Sequence, residues 1–72
     1  MREISRIIIE EYCHSHDSKK SRKLERLVEM SYDLYSEGTD DDAIFLSDII
    51  EKEKNPELKE AIIDLKDFIF PY

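Results

Sequence analysis

Apolar residues return along this chain every three or four positions, the spacing that lines one side of a helix, and four such stretches can be traced. The first runs from about Arg2 to His14, with Ile4, Ile7, Ile8 and Tyr12 on one stripe and Ile9 widening it. Three consecutive β-branched residues, Ile7 to Ile9, also suit a short strand, so that alternative stays open. The second stretch runs from about Lys19 to Ser36, its stripe built by Leu24, Leu27, Val28, Tyr32, Leu34 and Tyr35. Met30 falls just outside this stripe and Ser31 in the middle of it, where a serine can bond back to the preceding turn and needs no functional explanation. Phe45, Leu46, Ile49 and Ile50 carry the third stretch, which stops near Lys54. The fourth continues to about Phe70 on Leu58, Ala61, Ile62, Leu65, Phe68 and Ile69.

The polar punctuation agrees with these limits. Ser15-His16-Asp17-Ser18 breaks the first helix, and Asp17 or Ser18 can cap the second. Gly38 reads as a left-handed residue closing the second helix, and Thr39 or Asp40 as the cap of the third. Asn55-Pro56 is a cap followed by proline at the first helical position, and Pro71 ends the fourth helix. Short loops make sequential helices antiparallel neighbours. The expected fold class is therefore all-α, a compact three- or four-helix antiparallel bundle forming one domain over residues 1–72.

Size and charge narrow the function classes. At 72 residues the chain buries a thin core, and its net charge of −7 argues against a multidomain enzyme or a generally basic nucleic-acid binder. No apolar run approaches a membrane span or a secretory h-region, and the one cysteine, Cys13, cannot pair within the chain. These features predict an intracellular, cytoplasmic protein. The acid is unevenly placed: residues 1–36 hold seven basic and seven acidic side chains, residues 37–72 four basic and eleven acidic. Five of the basic residues fall in Lys19–Arg26, at the start of a helix, where positive charge opposes the helix dipole. Pairing with the acidic half, within or between chains, is the expected use of that segment. A nucleic-acid-associated small regulator that uses residues 19–26 for phosphate contacts is the alternative, disfavoured by the overall charge and by the absence of interleaved aromatics.

Catalytic and metal chemistry find little footing. Cys13-His14-Ser15-His16-Asp17 gathers ligand-type side chains, but a tetrahedral zinc site wants separated pairs and no further His or Cys exists. Adjacent Cys13 and His14 diverge on a helix, which is poor geometry for a nucleophile and its base. Glu11 falls inside the first apolar stripe, where partial burial would raise its pKa, but pairing with a basic neighbour or reaching the rim is the expected outcome. Gly38 alone makes no phosphate loop. The expectation is a protein that is not an enzyme, with no catalytic residue, no metal site and no cofactor.

The fourth helix carries an anomaly. Ile63 and Phe70 lie seven residues apart on a side away from its main stripe, flanked by Glu60, Asp64 and Asp67. Two apolar seams on one helix mean two contacts, the second being either another helix of the chain or an external partner. The partner reading takes Ile63, Phe70 and Tyr72 as anchors and Glu60, Asp64 and Asp67 as an acidic rim. It leads to a small acidic regulator of the inhibitor, immunity, antitoxin or adaptor type, occupying a basic surface of another protein. A homodimer or structural homo-oligomer is a further possibility, since self-association thickens a thin core.

Overall fold

In a computed structural model, residues 1–32 and 38–70 are described, and they contain four helices: α1 (Glu3–Ser15), α2 (Lys19–Met30), α3 (Asp40–Lys52) and α4 (Pro56–Ile69). Among the described residues no strand occurs, so the isoleucine run of α1 is helical.

Three of the four helices begin on the caps the sequence offers. Ser18 and Ser21 exchange bonds: the Ser21 N–H donates to Ser18 Oγ at 3.2 Å and the Ser18 N–H to Ser21 Oγ at 3.0 Å. Thr39 and Asp42 do the same at the start of α3, at 3.2 and 3.1 Å. The Asn55 carboxamide oxygen accepts from the backbone of Glu57 and Leu58, with Pro56 at the first turn. Such caps each stabilise a helix by about 0.5–2 kcal/mol. No side chain of its own segment caps α1; instead Asp64, on α4, accepts the Arg2 N–H at 3.0 Å.

Consecutive helices run antiparallel around one core. On α1, Arg2 meets Asp64 of α4, while Ile8 and Tyr12 share a cleft with Leu58 and Glu57 at the other end. Between α1 and α2, the Cys13 thiol donates to the Ser21 carbonyl, and at the far end Tyr32 donates to Glu10 under the Arg6 guanidinium. The α2–α3 edge is bridged by long side chains: Lys20 to Glu53, Lys23 over the Phe45 ring and Arg26 to Asp42. With α3 packed on α4, the helices close a ring in which α2 and α4 stand diagonally. Ile9, Leu24, Leu27, Val28, Leu46, Ile49, Leu58, Ala61, Ile62 and Leu65 fill the middle. Each fully buried Leu or Ile contributes about 1.5–3 kcal/mol.

The structure departs from the sequence reading at specific positions. The buried side of α1 is centred on Ser5 and Ile9, with Ile8, Tyr12 and Cys13 half-buried, so Ile4 and Ile7 are left exposed. Glu11 is exposed too, which agrees with a side chain at the rim of the stripe. α2 ends at Met30, where the Ser31 hydroxyl donates to the Val28 carbonyl and Tyr32 is exposed. The continuation expected to Ser36, with Leu34 and Tyr35, lies outside the described residues. Gly38 does not have a positive φ. It lies against the Phe70 ring and Ile69, where a side chain would collide with both. On α4, Phe68 is exposed although its spacing put it in the main stripe.

Candidate functional site

Core packing of α4 through Leu58, Ala61, Ile62 and Leu65 turns the opposite side of the helix outward. Glu60, Ile63 and Asp67 occupy that side, and all three are exposed. Ile63 keeps 37% of its surface accessible, directly after the fully buried Ile62. These three of the six sequence-selected residues share a face.

The others divide differently. Asp64 sits on the α1 side of the helix, where its carboxylate takes the Arg2 N–H at 3.0 Å and the Arg2 Nε at 3.3 Å. The Arg2 backbone donor is the main reason its pKa falls below the ordinary carboxylate value, opposed by partial desolvation and helped by the Arg2 side chain and its charge. Asp64 is thus a clasp for the start of α1. Phe70 is half-buried, packed on the core and against Gly38, so its contact is within the chain. Tyr72 lies outside the described residues.

α3 adds a residue that periodicity overlooked. Ile44 is 67% exposed, the largest value among the exposed large hydrophobics of the described chain. Its side of α3 also carries the exposed Asp48 and Glu51, and these three share a shallow surface groove with Lys66 of α4. The signal was present in the sequence: Ile44 is the one large apolar residue of this helix that the stripe Phe45, Leu46, Ile49 and Ile50 does not use. The outer faces of α3 and α4 therefore each show one isoleucine among carboxylates.

The basic segment is largely engaged with acids and an aromatic ring of its own chain. Lys20 reaches Glu53 at 3.8 Å, Arg22 reaches Asp17 at 3.0 Å and Arg26 reaches the buried Asp42 at 3.3 Å, while the Lys23 ammonium lies 4.6 Å from the centre of the Phe45 ring. Paired in this way, the segment offsets its unfavourable position at a helix start.

At the junction of α1 and α4 a surface cleft is lined by Ile8, Glu11, Tyr12, Ser15, His16, Asn55, Glu57 and Leu58. Its His16 ring stacks on Tyr12 with centroids 4.2 Å apart and places Nδ1 at 3.0 Å from the Tyr12 carbonyl, so that nitrogen donates. Asn55 already spends its oxygen on the α4 cap. Cys13, turned the other way, gives its S–H to Ser21, and burial followed by the Glu25 and Glu10 charges raises its pKa. A raised pKa keeps the thiol protonated, the opposite of what a thiolate nucleophile needs. Among the described residues no group of three His, Cys, Asp or Glu side chains is placed to hold a metal ion. No described helix is long and apolar enough to cross a membrane. No family model, curated protein or solved structure matches this chain.

Proposed function

We propose that the protein is a small protein-binding regulator of the inhibitor, immunity, antitoxin or adaptor type, which covers a basic surface of its partner with the acidic outer faces of α3 and α4. The observation that carries this reading is the exposure of Ile44 and Ile63 among Asp48, Glu51, Glu60 and Asp67. A single exposed isoleucine needs no explanation, but one on each of two adjacent helices, both ringed by carboxylates, supports a small apolar contact inside a polar rim. The carboxylates would steer encounter and fix orientation, and the isoleucines would supply the apolar contact that persists after docking. A cytoplasmic setting belongs to the same reading and rests on the lone, half-buried Cys13.

Affinity capture from a native extract with the wild-type chain and with Ile44→Asp/Ile63→Asp tests it. The expected result is a basic protein retained by the wild type and lost by the variant, with far-UV circular dichroism unchanged. Equal retention by both chains refutes the proposal.

A further inference from the structure

The outer side of α2 has not been accounted for by packing. Ser21, Leu24, Leu27 and Val28 face the core, so Lys19, Arg22, Lys23 and Arg26 line one open groove on the opposite side. Their in-chain partners leave much of this charge available. The Arg22 and Arg26 side chains are 71% and 61% exposed, and each gives one N–H to a carboxylate out of the five a guanidinium carries. The alkyl stems of such residues offer apolar surface beneath the charged heads.

That groove matches the outer side of α4. Lys19 and Arg26 are seven residues apart, as are Glu60 and Asp67, so each pair spans about 10.5 Å along its helix. Ile63 lies between the two acids as Arg22 and Lys23 lie between the outer cations. The match cannot be used within one molecule, because α2 and α4 are diagonal and their outer sides point away from each other. It can be used between two molecules. The net charge of −7 does not forbid this, since the body measures 29 × 22 × 21 Å and charges farther apart than about 8 Å are largely screened at physiological salt.

We propose that the groove formed by Lys19, Arg22, Lys23 and Arg26 is a docking site for the Glu60–Ile63–Asp67 face of a second copy of this chain. The inference rests on the reading of the α4 face as a binding face and adds the identity of one occupant. The contact is head-to-tail, so every docked pair keeps one free groove and one free acidic face, and growth beyond the dimer follows with concentration.

Two variants separate the halves of the contact. Lys19→Glu/Arg22→Glu spoils the groove while sparing the Arg26–Asp42 pair, and Glu60→Lys/Asp67→Lys spoils the acidic face. In sedimentation velocity at micromolar to millimolar concentration, the wild-type mass should rise above 8.6 kDa and fall back with added salt. Each variant alone should stay monomeric. An equimolar mixture of the two variants made with glutamine at the same four positions should give a species of twice the monomer mass and nothing larger, because one intact groove meets one intact face and the two neutralised surfaces do not attract each other. Far-UV circular dichroism checks folding, and the glutamine versions of the same four positions give the same pattern if charge reversal unfolds either chain. A wild type that stays monomeric, or variants that fail to pair, overturns the proposal. A monomeric wild type that binds a single-stranded oligonucleotide through Lys19 and Arg22 also overturns it and makes the groove a phosphate site. Pairing of the two variants without any captured basic protein leaves self-docking standing and removes the heterologous partner; the reverse result removes only self-docking.

Discussion

Gly38 offers a test of packing in which two readings of one residue predict different energetics. It is the only glycine in the chain, and as a left-handed helix terminator its replacement by alanine would be opposed by backbone strain alone. The structure gives it another task. Its φ is not positive, and a Cβ built there would overlap the Phe70 Cζ most severely, with Phe70 Cε1 at 2.6 Å and Ile69 Cγ2 at 2.9 Å. Gly38→Ala should therefore force the ring outward, an overpacking cost of about 1–3 kcal/mol. Against it stands a gain of about 0.4–1 kcal/mol from the lower entropy of the unfolded chain. The net expectation is a loss centred on about 1.3 kcal/mol, within about 0–2.6 kcal/mol.

That loss is measurable, because a chain of 72 residues has a total stability of about 4–11 kcal/mol. In the Phe70→Ala background the main obstacle is gone and only the Ile69 Cγ2 contact at 2.9 Å must still yield, so the cost of Gly38→Ala should fall to near zero. Urea unfolding of the four chains of this cycle, followed by far-UV circular dichroism, measures the coupling directly. An interaction energy of about 1–3 kcal/mol is expected, within the usual range for residues in contact. An equal penalty in both backgrounds would refute the close-approach argument and return Gly38 to a backbone role.

Adjacent residues of α4 should respond oppositely to truncation: Ile62→Ala, at a fully buried site, costs about 2–5 kcal/mol, whereas Ile63→Ala stays within about 0.5 kcal/mol. Equal losses in urea midpoint would show that Ile63 belongs to the core. Asp64 has a folded pKa below its unfolded value, so its contribution is complete above the ordinary carboxylate value of about 3.9 and is lost as pH falls through the lower folded pKa. Asp64→Asn should accordingly be less stable than wild type at neutral pH, with the gap closing in acid; a gap independent of pH would contradict the Arg2–Asp64 clasp. Cys13, half-buried and near Glu25 and Glu10, should react with iodoacetamide more slowly in the folded chain than in urea at the same pH. Equal rates would place the thiol in solvent.

Helix existence and start points were legible because caps and proline act over a few residues: Ser18, Thr39 and Asn55 all work as the sequence indicates. The direction each helix faces was less legible, because hydrophobic periodicity counts apolar side chains and cannot weigh what packs opposite them. In α1 it chose Ile4 and Ile7, while the structure buries Ser5 and Ile9, since α1 must lie against two neighbours and is clasped by Asp64 from a helix 62 residues away in sequence. The same limitation joined Phe70 to Ile63. Seven residues apart they share a side of α4, yet Phe70 lies at the helix end, where Gly38 supplies a flat contact that no count along α4 could reveal. Ile44 escaped notice for the converse reason, as a stripe reading keeps what fits and discards the remainder. In a bundle this small the remainder is informative away from the helix ends: mid-helix only one side is buried, so a large apolar residue left off the stripe there faces water or another molecule. Applied to α3 and α4 together, that rule selects Ile44 and Ile63 with their surrounding carboxylates. It turns a surplus of negative charge into two particular surfaces that substitution can test.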